Sequence, residues 1–219
     1  MIAAELINSN IPALKTTDSV EQVLEFMQEH HVSELPLVED HQFMGLIHEA
    51  DLEEMDPDVL LSAIRPPSDP VHIRSSDFFL TALKVMQQRK ISVLPVLKET
   101  TEFMGVITAA ELLQAAAHYT SATEPGGVLI LQMLPNNFSI SEIGRIVESN
   151  DSKIIHLNTW TDEATGQLMV AIKVSKSDLQ DILATLERYE YNVVHYFGEN
   201  LSADELRLNF DHLMNYLNI

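Results

Sequence analysis

Cysteine is absent from the 219-residue chain. No disulfide, thiolate metal site or cysteine nucleophile is therefore available. Basic residues are scarce, 13 Lys and Arg against 33 Asp and Glu, for a formal charge of −20. A nucleic-acid surface needs clustered cations, so a nucleic-acid partner is not expected. Attraction to an anionic membrane fails on the same sign. Long hydrophobic runs are also missing. None approaches the ~20 apolar residues of a membrane span, and the longest, such as 128–131, are strand-sized. The opening Met1-Ile2-Ala3-Ala4-Glu5 lacks the basic and apolar blocks of a secretory signal. The expectation is a soluble, cytoplasmic protein. Short catalytic signatures are absent too: no GxSxG, phosphate-binding loop, GxGxxG or HExxH occurs.

What is present is an ordinary 46% hydrophobic content, enough for a packed core, and an internal repeat. Residues 11–57 and 69–117 align at a shift of 59. Asp18 falls on Asp77, Leu24 on Leu83, Met27 on Met86 and Pro36 on Pro95. One extra residue near 99–102 makes the shift 60, and Phe43-Met44-Gly45 then falls on Phe103-Met104-Gly105. A single-residue gap in a polar stretch between apolar runs is how a turn insertion looks.

Each repeat reads as strand, helix, strand, strand, helix. In the first, Asp18 or Ser19 caps a helix carrying Val20, Val23, Leu24 and Met27 at helical spacing. Strands over 35–38 and 43–47 and a helix over 49–55 follow. The second gives a helix over 79–89, strands over 93–97 and 103–107, and a helix over 109–117. Pro36 and Pro95 predict an edge or a kink in their strands. Residues 64–70, with three prolines, read as an extended connector.

A linker follows at 119–127. Beyond it the pattern is β-α-β-β-α-β: strands over 128–134, 153–161, 167–174 and 192–197, and helices over 139–149 and 177–189. This is the order of a split βαβ, or ferredoxin-like, motif. Ser139 with Glu142 predicts a capping box, and Trp160 is expected to pack. A last helix is expected within 199–219. The fold class is α+β, with domains over 1–118 and 128–198.

Charge is uneven along the chain. Residues 1–60 carry a net −13, residues 61–120 a net +1 and the remainder −8. An anion should prefer the second repeat, where Arg65, Arg74, Arg89, Lys90 and Lys98 lie. The adjacent His30 and His31 do not share a helix face and read as solvated helix-end residues. The acidic run over 49–58 reads as a solvated face. No metal site or catalytic residue is expected.

The informative segments are Gly45-Leu46-Ile47-His48-Glu49-Ala50-Asp51 and Gly105-Val106-Ile107-Thr108-Ala109-Ala110-Glu111. Each closes a strand and opens a helix, with a carboxylate three residues after a polar residue. A helix N-terminus favours an anion, and a carboxylate one turn on can accept from two vicinal hydroxyls. That pairing suits a phosphorylated ribose. The simpler reading is that Thr108 caps its helix and the acids favour the N-terminus.

The repeat, with Leu35-Pro36-Leu37-Val38, Leu94-Pro95-Val96-Leu97 and the Gly-x-Ile-x-x-x-acid endings, resembles tandem CBS domains, a Bateman module. Residues 127–198 resemble an ACT domain through element order and the Leu134-Pro135-Asn136-Asn137 turn. The combination is similar to accessory proteins of acetoin utilisation. The resemblance implies two clefts that take adenosine ligands such as AMP, ADP, ATP or S-adenosylmethionine. One would use Thr108 and Glu111, with Ile7, Pro12, Val32 and Ser33 around the base. The other would use His48 and Asp51, with Pro66, Val71, Ile91 and Ser92. The family pattern of Thr or Ser followed by Asp is altered here, to Thr108/Glu111 and His48/Asp51.

The expected function is regulatory and non-enzymatic. An adenosine-containing ligand is sensed and the signal passes through conformational or oligomeric change. The ACT-like domain and final helix serve relay or homodimer formation, and any regulated protein partner is unnamed. Two rivals stay open: an interaction protein with empty clefts, and a metal-assisted hydrolase using the acidic and histidine residues.

Overall fold

The computed structural model describes residues 1–64 and 70–198. Pro66 and the expected C-terminal helix over 199–219 lie outside them. The chain forms two compact units, Met1–Tyr119 and a second that begins at Thr120.

In the first unit, helix α1 (Val20–His30) is capped by Ser19. The Ser19 hydroxyl accepts from Gln22 N and the Gln22 side chain accepts from Ser19 N, a reciprocal cap that satisfies two orphan donors. Asp18 instead accepts from Lys15 N at 2.7 Å. Strands β1 (Glu34–Glu39) and β2 (Gln42–His48) form a hairpin. The second repeat supplies β3 (Ile73–Arg74), α2 (Phe79–Arg89), β4 (Val93–Lys98), β5 (Glu102–Thr108) and α3 (Ala109–Tyr119).

The five strands form one sheet in the order β1-β2-β5-β4-β3. The hairpins join where Gln42 pairs with Glu102. There Phe43 N donates to Thr101 O at 3.0 Å and Phe103 N to His41 O at 2.9 Å. The register slips between Leu37 and Val38, and again between Val96 and Leu97. These are equivalent positions, one step beyond each proline. Pro36 lies in the outermost strand, as a residue without an N–H should. Pro95 is tolerated in β4 because β3 pairs only with Val96 and Leu97. The expected opening strand of each repeat is reduced to β3 and to a lone parallel bridge between Leu14 and Leu37.

Three apolar clusters hold the unit together, the smallest made of Phe43, Leu46 and Leu97. Of the two larger, one gathers Leu14, Val23, Met27, Leu35 and Ile47, the other Phe79, Ala82, Leu94 and Ile107. Each fully buried large side chain contributes about 1.5–3 kcal/mol. The expected helix over 49–55 does not form; a 3-10 turn, Glu49–Asp51, stands there. Its sequence explains the difference. Six acids crowd residues 49–58, placing like charges at i,i+4, and Pro57 blocks continuation. The Ala-rich counterpart, α3, has neither burden.

The second unit runs β6 (Gly127–Met133), α4 (Ile140–Ser149), β7 (Ile154–Thr161), β8 (Leu168–Val174), α5 (Gln180–Arg188) and β9 (Asn192–Phe197). Its antiparallel sheet has the order β7-β8-β6-β9, a ferredoxin-like arrangement. Leu129, Leu131, Val170 and Ile172 pack with Ile143, Ile146, Ile182 and Leu186 of the two helices. Ser139 caps α4 as expected, accepting from Glu142 N at 3.3 Å. The Glu142 carboxylate accepts instead from Tyr191 OH at 2.8 Å. Burial, then that hydrogen bond and the carboxylate charge, push the Tyr191 phenol up to about 12. Trp160 is 41% exposed on an outer strand rather than packed. No described helix is long and apolar enough to cross a membrane.

Two glycines test this packing in opposite directions. Gly105 has φ +149°, and a Cβ there would collide with Ile7 Cγ2. Gly105→Ala is expected to cost about 1–3 kcal/mol. Gly144, inside α4, has nothing within 4 Å of a built Cβ. Gly144→Ala is expected to add about 0.5–1 kcal/mol. Urea denaturation of the two variants measures both.

Candidate functional site

Strand β5 delivers Thr108 to the start of α3. The Thr108 hydroxyl accepts from Ala110 N at 3.2 Å and donates to Glu111 Oε2. Thr108 N donates to the same oxygen at 2.9 Å. Both bonds of the pair run from Thr108 to Glu111, and the hydroxyl caps the helix through Ala110 N. Glu111 Oε1 accepts from Asn8 Nδ2 at 2.8 Å, and Asn8 N donates to Val106 O at 2.8 Å. Burial pushes the Glu111 carboxyl up. The bonds from the Thr108 hydroxyl, Thr108 N–H and Asn8 outweigh it and hold the group below its ordinary value. Glu111 and Ile7 share a cavity of about 330 Å³ with Met1, Glu5, Gln114 and His118. Asn8 was not legible in sequence, because its partner lies 103 residues away.

The first repeat places His48 and Asp51 at the matching positions, with different surroundings. His48 precedes the 3-10 turn and its side chain caps nothing there. Beside it lies Glu34, only 3% exposed. Glu34 Oε1 accepts from Ser92 N, from Ser92 Oγ at 2.9 Å and from Val93 N at 2.6 Å. Glu34 Oε2 stands 3.9 Å from His48 Nδ1. Ser33 N donates to Ser92 Oγ at 3.3 Å. Ser33, His48 and Ser92 therefore meet around a carboxylate that sequence reasoning passed over. A signal existed: Glu34 aligns with Val93, a charge opposite an apolar residue in the repeat.

The other expected residues are dispersed. Val32 and Ser33 line a groove of about 800 Å³ beside α1, with Glu21, Glu25, His31, Glu49 and Glu53. Val71 and Arg89 line a cavity of about 270 Å³. Ile91 packs near Phe43 and Leu46. Pro12 is half-buried and lines none of these cavities. His31 closes α1 in the left-handed conformation. Among the described residues no three His, Asp or Glu side chains form a metal-binding group.

A family model described as CBS domain matches residues 3–56 and 61–118, just over half of the chain. The chain belongs to the CBS domain family. Its two repeats are the two CBS domains, and the five-stranded sheet is the CBS pair. Among curated proteins, the chain is 27% identical over 127 residues to an inosine-5'-monophosphate dehydrogenase of Korarchaeum cryptofilum, covering 58% of this chain and 27% of that protein. It is 26% identical over 114 residues to a homoserine O-acetyltransferase of Methanocorpusculum labreanum, covering 51% of this chain and 23% of that protein. The chain thus spans about a quarter of the length of these relatives. Among solved structures, a CBS domain pair/ACT domain protein from Thermotoga maritima is 19% identical with a TM-score of 0.49, covering 54% of this chain and 98% of that one. CBSX2 in complex with AMP is 21% identical with a TM-score of 0.46, covering 53% and 96%.

Two outcomes follow from this geometry. Glu34→Ala leaves the half-buried Ser92 and buried Val93 donors without an acceptor and is expected to cost about 2–4 kcal/mol. Glu34→Gln keeps an Oε1 acceptor and should cost less than half as much; chemical denaturation separates them. Glu111 is depressed in the fold, so its contribution is present above its ordinary value of 4.5 and is lost as pH falls through the lower folded value. Glu111→Gln should be less stable than the parent at neutral pH. The difference should shrink as pH falls below about 4.5, read from denaturation midpoints across the acid range.

Proposed function

We propose that this chain is a regulatory, non-catalytic sensor whose CBS pair binds an adenosine-containing ligand. The observation that carries the reading is the Thr108–Glu111–Asn8 cluster, set at a strand end and at the N-terminus of an eleven-residue helix, with Glu111 on the wall of a cavity. The helix N-terminus offers partial positive charge to a phosphate. Glu111 offers two carboxylate oxygens to a ribose diol. Asn8 donates to one of them and Thr108 to the other, so a diol would replace neutral donors by other neutral donors at little net cost. The AMP named for CBSX2 lends the same ligand class support.

The mechanism is linkage. A ligand that prefers one arrangement of the two hairpins shifts the population toward it. We assign residues 1–118 to the CBS pair, 119–127 to a linker and 128–198 to an ACT-like domain. In this reading the ACT-like domain passes the signal on or forms a homodimer. The rival in which the clefts are empty draws on the same cluster, because Glu111 is already satisfied by Thr108 and Asn8.

Calorimetric titration of the full chain with AMP, ATP and S-adenosylmethionine decides between them. The sensor reading expects saturable heat with at least one ligand. It also expects about a tenfold loss of AMP affinity in Thr108→Ala. No heat and no melting shift with any of the three leaves the interaction-protein reading.

A further inference from the structure

The sheet of the second unit packs α4 and α5 through Leu129, Val170 and Leu157, among others. Side chains alternate along a strand, so the residues between these turn to the opposite face. The register sets them in rows. Val128 stands between Phe197 and Lys173, Ile130 between His195 and Ala171, and Met169 between Gln132 and Trp160. Trp160 is 41% and Phe197 60% exposed, and Val128, Ile130, Met169 and Ala171 are partly exposed. At one end Lys173 Nζ donates to Ser121 O. The uncovered face of an antiparallel sheet is ordinarily polar. Here its two central strands place Val128, Ile130, Met169 and Ala171 there.

We propose that residues 199–219 of the same chain lie across this face as an amphipathic helix and close it from solvent. The tether is the first support. Strand β9 ends at Phe197, a corner of the face itself, and residues 199–219 follow directly after Gly198. Spacing is the second. Leu206, Phe210, Leu213, Met214 and Leu217 recur at i, i+4, i+7, i+8 and i+11, one stripe of a helix. Asp204, Asp211 and Asn215 fall on the other side, and Leu208 alone breaks the pattern. From Leu206 to Leu217 the stripe would run about 16 Å at 1.5 Å per residue. The diagonal from Phe197 to Trp160 crosses three strand spacings and four residues of rise, roughly 19 Å. Charge is the third. The four strands contain no Asp or Glu, in a chain with 33 acids. Residues 199–219 carry Glu199, Asp204, Glu205 and Asp211 against the single Arg207. An acidic helix is the complement of a face whose fixed charge is Lys173, whereas a second copy docking by the same face would bring no acid of its own.

The inference is independent of the sensor reading. It makes the second unit three layers, helices, sheet and helix, and leaves the edges of β7 and β9 open.

Trp160 is the sole tryptophan and no cysteine is native, so a fluorescent and a cross-linking reporter both work without background. In the full chain, Leu213→Asp should shift Trp160 emission to the red and raise its quenching by acrylamide about twofold, because the indole loses its cover. Asn158 is exposed on the same face, opposite Ala171. Asn158→Cys combined with Leu213→Cys or with Leu217→Cys should form a disulfide within one chain on mild oxidation. The yield should exceed at least fivefold that of Asn158→Cys with Asn215→Cys. Circular dichroism and melting check that each variant is folded. Unchanged quenching in folded Leu213→Asp, or no excess of the Leu213 and Leu217 pairs over the Asn215 pair, overturns the inference. A disulfide-linked dimer in place of the cross-linked monomer assigns the face to the tail of a second copy and overturns it too. Each of these outcomes leaves the sensor reading standing, since no ligand enters the measurement.

Discussion

The first unit depends on holding two hairpins together without fusing them along their length. One end is closed by the pairing of Gln42 with Glu102 and its two flanking backbone bonds. The other is closed by the buried carboxyl group of Glu34, gripping the Ser92 and Val93 amides, and by Ser33 N donating to Ser92 Oγ. Charge-assisted bonds of this kind are roughly twice as strong as neutral ones. Removing the carboxylate would leave the buried Val93 donor and the half-buried Ser92 donors without their acceptor. Between these two fastenings β2 and β5 meet through side chains, Phe43 stacking on Phe103 beside Leu46 and Leu97.

That arrangement explains why the repeat is symmetric in its backbone and asymmetric in its chemistry. Backbone features recur at equivalent positions: the register slips after Pro36 and Pro95, and the left-handed caps at His31 and Lys90, both with φ 53°. They follow from chain geometry and tolerate surface divergence. The side chains at the strand ends have no such constraint. Thr108 donates twice to Glu111 at the start of its helix. His48 caps nothing at its turn, and Glu34 occupies the ground between the repeats.

Much of the fold was legible because periodicity and duplication are local signals. The repeat, both hairpins, α1, α2, α3 and all four strands of the second sheet follow from spacing alone. The failures have local causes as well. The helix expected over 49–55 rested on its counterpart, and the density of like charges and Pro57 overrode the alignment. The candidate site was half legible. Thr108 and Glu111 carry a motif signal and Ser33 and Ser92 came through the family resemblance, while Asn8 and Glu34 act through partners 103 and 58 or 59 residues away. A single sequence holds no record of such distances. Only the mismatch of Glu34 with Val93 hinted at them.

The short Leu14 bridge also has a consequence for behaviour at high concentration. Leu14 N donates to Pro36 O and Val38 N to Leu14 O, so the outer margin of β1 is sheathed by its own chain. On the far side β3 is two residues long, and Ala3 and Ala4 donate to Asp77 O and Ser75 O just beyond it. Among the described residues an intruding strand finds no long ladder to extend on this sheet, the usual protection against amyloid-like stacking. Edge-to-edge assembly of copies would have to use the second unit, where the outermost strands β7 and β9 run eight and six residues.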